Sequence, residues 1–208
     1  TIAKNKSAFE YAGRHGFNVL THLLGQTYEE IEENILVYRK ARESAGYVAS
    51  SGKITLMIHS FVSSDLAFVE KVAGQPFKSY LRDSIDLLRP IAQASELDLS
   101  KEENLNEIVD AAFARYFDDY SLIGTPNSCL PVLQKIHQTG VDEIACLMDF
   151  GIEDSLVIDS LPYLEQLKDS YKRLQAQRAY VNHRYDHEQD TASLIKKFGV
   201  NALQMTPS

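Results

Sequence analysis

The chain has 208 residues, 44% of them hydrophobic, with 29 acidic against 21 basic side chains and a formal net charge of −8. That supplies a buried core for one domain or slightly more. An acidic chain with scattered lysines and arginines has no electrostatic reason to seek nucleic acid or an anionic membrane, and no apolar run is long enough to span a bilayer.

Residues 1–3 (Thr-Ile-Ala) are followed at once by a polar turn and read as the last step of a strand, so the chain is expected to begin inside an element, as a fragment or excised domain would. Residues 7–15 carry Phe9, Tyr11 and Ala12 at helical spacing and stop at Gly16. Residues 17–24 (FNVLTHLL) form an apolar, β-branched strand. Thr27 then caps a helix to about Ala45, and Glu30 completes a capping box. A loop over 46–52 leads to a second strand at 53–62 (KITLMIHSFV).

Helices are expected at 65–73, at 77–88 with Pro90 as a stop, and at 105–117, a long helical excursion between strands. Thr125 and Pro126 start another helix, which ends at Gly140. Residues 142–150 (DEIACLMDF) form the third complete strand, and a last helix covers 156–177 with an interruption near Pro162. The polar stretch 182–190 (NHRYDHEQD) reads as a linker, before a short helix and a short strand in 191–208. Cys129 and Cys146 lie far apart and near no His pair, which suits neither a metal site nor a disulfide. Cys146 sits in an apolar run and is expected to be buried, and a reducing cytoplasm is the simplest setting.

Strands alternating with helices imply parallel pairing, and near-continuous apolar strands imply two covered faces. A doubly wound sheet and part of a (β/α)8 barrel both satisfy this. A complete barrel needs about 250 residues. The four strand positions before the linker make roughly half of one.

Four stretches bear on the choice: TIAKNKSAFEYAGRHGFNVLTHLLGQ (1–26), GKITLMIHSFV (52–62), LIGTPNSCL (122–130) and GVDEIACLMDFG (140–151). In this order they resemble the luciferase-like, FMN-dependent monooxygenase domains embedded in nonribosomal peptide and polyketide synthases. The resemblance covers most of residues 1–172 and implies the carboxyl-terminal half of a (β/α)8 TIM barrel, with a helical insertion between the last two strands. It implies reduced FMN at the carboxyl ends of the strands, supplied by a separate flavin reductase, with O2 as co-substrate. The protein would bind, orient and exclude water while the flavin supplies the chemistry.

By that resemblance the turn Ala3, Lys4, Asn5, Lys6, Ser7 matches a phosphate-holding turn, and a helix start with nearby lysines is a sound anion site. Many relatives carry glycine where Lys4 stands. A plain helix cap with solvated lysines is the competing account. Thr21, Leu23 and Gly25 close the strand beside the flavin and are expected to contact the cofactor. His22 and His59 stand at the same end of adjacent parallel strands and are the candidate catalytic residues, His22 as a hydrogen-bond donor to the flavin or to oxygen on it. A satisfied structural histidine is the commoner role for either. Alternation sets Thr21 and Leu23 on one face and His22 on the other, without telling which points inward. Asp149 either faces the barrel mouth or caps the next helix, and Tyr80, Tyr116 and Tyr120 are expected to pack the excursion.

Residues 191–208 (TASLIKKFGVNALQMTPS) resemble a stretch of amino-acid adenylation domains. The implied organisation is a monooxygenase barrel half over 1–177, a linker over 178–190 and the start of an adenylation-like segment over 191–208. The implied substrate is a carrier-protein-bound acyl or aminoacyl intermediate of secondary metabolism. Other implied partners are the missing amino-terminal half of the barrel and, as an open alternative to a monomer, a second copy in a homodimer. Against this stands a non-catalytic half barrel that binds no flavin alone. A sugar-phosphate aldolase or isomerase is disfavoured, because no strand carries an interior lysine.

Overall fold

The computed structural model describes residues 1–84 and 101–198. Contacts divide the chain into two units, Thr1–Leu167 and Lys168–Ser208. In chain order the elements are α1 (Lys6–Arg14), β1 (Val19–His22), α2 (Tyr28–Ser44), a 3-10 turn (Ala49–Ser51), β2 (Ile54–Val62), α3 (Leu66–Asp83), α4 (Glu102–Asp119), β3 (Leu122–Gly124), α5 (Pro126–Gln138), β4 (Glu143–Leu147) and α6 (Asp154–Phe198). The first unit is therefore α/β, with four strands in parallel pairing. The described part of the second unit is the helical stretch 168–198.

Local chemistry sets the helix starts. The Thr27 hydroxyl accepts the Glu30 N–H at 3.2 Å and the Glu30 carboxylate accepts the Thr27 N–H at 2.9 Å, a complete capping box. Thr125 and Ser128 form the same reciprocal pair at α5, with Pro126 at its first position. Helix α3 was expected as two pieces and is one helix through Pro76. Its buried residues Val69, Ala73, Phe77 and Leu81 follow each other at four-residue spacing, so a single apolar stripe continues across the proline and its packing outweighs the one lost N–H.

Strand β2 is the hub. Val19 to His22 of β1 pair with Ile54 to Met57, Thr55 to His59 pair with Glu143 to Leu147 of β4, and Ser60 to Val62 pair with β3. The amino end of the sheet is clamped by Asp142. One of its carboxylate oxygens accepts the Ile54 N–H at 2.7 Å and an Arg39 N–H at 2.6 Å, and Arg39 also donates to the carbonyls of Ala49 and Gly52. The carboxyl-terminal part of β2 leaves β1 and β4 behind and enters a second core, where Phe61 packs with Val69, Phe77, Leu81, Ile108, Ala112, Tyr116 and Phe150. The α3–α4 pair is built around that core.

Helices α1 and α2 approach closely at Gly13. A Cβ there would lie 2.5 Å from the Tyr38 carbonyl oxygen and 2.9 Å from the Ala41 Cβ. Neither atom belongs to a flexible side-chain end, so the helices must move apart. Gly13→Ala is expected to cost about 1–3 kcal/mol despite alanine's better helix propensity. A urea midpoint equal to or above that of the unchanged protein would contradict this.

Two expectations are corrected. Pro162, where an interruption was expected, lies inside helix α6, which also runs through the polar stretch 182–190. Residues 182–190 hold no glycine or proline that would stop a helix. Cys146 is exposed rather than buried, because among the described residues β4 is paired on one edge only. Strand β3 was not foreseen, since three residues carry too short a pattern. The expected Pro90 stop and the short strand beyond residue 198 lie outside the described residues.

Candidate functional site

Parallel pairing brings the carboxyl ends of β1, β2 and β4 to one end of the sheet. Residues paired across a parallel ladder, and residues two apart along a strand, share a face. His22 pairs with Met57, and His59 pairs with Leu147. These four therefore lie on one face. Thr21 and Leu56 lie on the other, fully buried. A cavity of about 130 Å³ opens against the His22 face. Leu23, Leu24 and Ile58 complete its strand side, and Tyr80, Tyr116 and Tyr120 reach it from α3 and from the α4 end.

His59 is buried at this cavity, 7% exposed. Its ring lies 4.9 Å from Phe77, 4.5 Å from Tyr80 and 5.5 Å from Phe150 between centroids. Burial, and next the nearby His22, pull its pKa down to about 4. Its Nε2 has no hydrogen-bond partner, a cost of about 1–3 kcal/mol unless a ligand or water supplies one. The His22 pKa is also lowered by burial, against a smaller opposing effect of the Leu24 backbone. Both imidazoles are therefore neutral at pH 7, each with one N–H and one bare nitrogen.

Tyr116 ties the helical pair to the strand end. Its hydroxyl oxygen accepts the Gly25 N–H at 2.6 Å, and its ring is 2% exposed. Burial raises its pKa, so the hydroxyl keeps its proton. A second tie lies beside it: the Tyr28 hydroxyl donates to the Asp119 carbonyl, and the Tyr28 ring stacks on Tyr120 at 4.9 Å. These contacts hold α4 over the turn that follows β1.

The turn of Ala3, Lys4, Asn5, Lys6 and Ser7 starts beside β1, where the Ile2 N–H donates to the Leu20 carbonyl at 2.8 Å. Asn5 is the α1 cap, and its side-chain oxygen accepts the N–H groups of Ser7 and Ala8. Lys4 lies 3.9 Å from Glu30 and Lys6 2.6 Å from Glu33, all largely exposed. None of the five lines the cavity.

The sequence-predicted residues thus divide. His22, His59 and Leu23 meet at one cavity. Thr21 faces away from it, its hydroxyl oxygen 3.4 Å from the Gln26 side-chain nitrogen. Gly25 is outside the lining but anchors Tyr116, with a positive φ of 76° that favours glycine. Asp149 is exposed and does not cap α6, which begins at Asp154, whereas its neighbour Phe150 is buried against His59. Tyr80, Tyr116 and Tyr120, expected to pack the excursion, also line the cavity. The four-residue spacing of Tyr116 and Tyr120, which sets both on one side of α4, was the available signal.

No protein-family model and no curated protein matches the sequence. Solved structures do match. The chain shares its fold with monooxygenases. It superposes on monooxygenase RslO1 from Streptomyces bottropensis with a TM-score of 0.54 at 17% identity, covering 79% of this chain and 45% of that one. For the long-chain alkane monooxygenase LadA the TM-score is 0.51 at 16% identity, covering 81% and 39%. For the oxygenating constituent of 3,6-diketocamphane monooxygenase of Pseudomonas putida, a type II Baeyer-Villiger enzyme solved with FMN, it is 0.50 at 16% identity, covering 76% and 42%. The chain spans less than half the length of each.

Proposed function

We propose that the chain is the carboxyl-terminal half of a (β/α)8, luciferase-like, FMN-dependent monooxygenase, with α3 and α4 as its helical insertion and the His22–His59 face as part of its flavin site. The observation that carries this reading is the convergence of two neutral imidazoles on one cavity at the carboxyl ends of parallel strands. The shared fold with monooxygenases, one of them solved with FMN, supports it.

The residues present suit FMN unevenly. The cavity has room for one edge of a flavin ring, and the unpartnered His59 Nε2 suits a polar ring atom. At the other end, Asn5 already occupies the N–H groups of Ser7 and Ala8. A phosphate there would be held by the ammonium groups of Lys4 and Lys6 and the Ser7 hydroxyl, in competition with Glu30 and Glu33. When bound, reduced FMN activates O2 for transfer of one oxygen atom to the substrate. The chain's own part is to bind, orient and exclude water. His22 and His59 offer hydrogen bonds without a competing positive charge, while Leu23, Leu24 and the three tyrosines line the cavity beside them.

The wider reading has the barrel half over 1–177, a connecting segment over 178–190 and an adenylation-like segment over 191–208, within a biosynthetic synthase. A separate flavin reductase supplies reduced FMN, and the substrate is a carrier-bound acyl or aminoacyl group. Of the strand-end residues, Leu23 lines the cofactor's cavity, Gly25 acts through its hold on Tyr116, and Thr21 supports the strand from the opposite face. A second reading, a module that binds no flavin alone, is favoured by the pairing at the phosphate turn and by the 37% exposure of Leu20, on the same strand face as His22.

Anaerobic titration of reduced FMN tests both readings. Weak or no binding is expected for the 208-residue chain, and binding for a complete barrel that contains it. A complete barrel that leaves reduced FMN unbound would overturn the proposal.

A further inference from the structure

The cavity contains an unusual combination. Among the described residues its lining has two imidazoles and three phenols but no lysine, arginine, aspartate or glutamate. A buried ionic ligand group would meet no opposite charge there, and an unpaired charge in such a site is costly. The His59 Nε2 has no partner. The Tyr116 oxygen receives the Gly25 N–H, and its hydroxyl also carries a proton to donate. The remaining walls are aliphatic and aromatic.

We propose that this cavity selects an uncharged ligand group that both donates and accepts a hydrogen bond, a hydroxyl or an amide on an apolar body, with Tyr116 donating to it and His59 Nε2 taking the other bond. Such a group satisfies His59 in either tautomer, because it can donate to a bare Nε2 or accept from a protonated one. The cavity is about 130 Å³, somewhat less than the roughly 150 Å³ that holds one benzene ring, so it takes the polar group and part of one ring, with the rest at its open side. A phosphate, a carboxylate or an ammonium is excluded by charge, so any such part of a larger ligand must lie outside. The proposal shares its cavity with the flavin reading but does not need flavin.

The test is a ligand series on one ring, titrated into the full chain and read by the ring-nitrogen resonances of His59: benzyl alcohol, benzamide, benzoate, benzylamine and toluene. Benzyl alcohol or benzamide is expected to shift the His59 ring nitrogens and to bind about tenfold more tightly than toluene, the worth of one or two net hydrogen bonds. The tighter of the two identifies the source as hydroxyl or amide. Benzoate and benzylammonium are expected to bind more weakly still. Tyr116→Phe and His59→Phe should each remove most of the preference over toluene. Toluene or benzoate binding as tightly as both neutral polar probes would overturn the proposal, as would a His59 resonance that no probe moves. The wild-type series decides the matter even if a variant fails to fold. Probe binding without binding of FMN to the complete barrel would sink the flavin reading and leave this one standing.

Discussion

Phe77→Ala is expected to destabilise the first unit by about 3–5 kcal/mol, the usual range for a buried aromatic cut to a methyl group. Phe77 is 1% exposed and joins two parts of the molecule. On one side it packs in the core of α3, α4 and the carboxyl end of β2, with its ring 6.2 Å from Phe113. On the other it stands 4.9 Å from His59 and 5.7 Å from Phe150. The variant therefore weakens the packing of α3 and opens the wall that keeps His59 dry. Urea unfolding should show a midpoint lowered by roughly 1–5 M at the slopes usual for small proteins. The His59 pKa should rise towards 6.5, because burial is the larger cause of its depression. A midpoint within the error of the wild-type value would show that the two aromatic groups do not share one core.

The second large effect is on stability against pH. Unfolded, His59 takes up a proton near pH 6.5; folded, it does so only near pH 4. Between those values the unfolded chain holds more protons, so stability rises with pH and falls as acid is added. The loss is absent above about pH 6.5, grows down to about pH 4 and then levels off. At about 1.4 kcal/mol per pKa unit it approaches roughly 3 kcal/mol, and the lowered His22 pKa adds in the same direction. His59→Leu removes the titrating group, so its stability should fall less steeply over the same interval. Parallel curves for the two proteins would show that His59 is not held neutral by burial.

Several elements were legible because a local rule acts alone. The Thr27–Glu30 capping box, the Thr125–Pro126 start and the helix stop at Gly140 each depend on residues within a few positions of one another. The parallel α/β arrangement followed from the alternation of short apolar strands and amphipathic helices, and the placement of His22 and His59 at one end of neighbouring strands followed from that arrangement. Where local rules were misleading, a distant contact decided. Pro76 should break a helix, but four buried residues spaced across it keep α3 whole. Cys146 has apolar neighbours, but its strand is paired on one edge only.

By itself, then, the sequence determined the main helix caps, the parallel sheet and the strand-end position of the two histidines, since these rest on chain periodicity and short-range hydrogen bonding, whereas it missed β3 and divided α3. The tertiary structure decided which face of β1 is covered, and it set His22 on the cavity side and Thr21 away from it. It also brought Tyr116, 91 residues from Gly25, to the end of β1, and enclosed His59 between Phe77, Tyr80 and Phe150. Those outcomes depend on burial summed over α3, α4 and β2, a quantity spread across distant segments that no window of sequence contains.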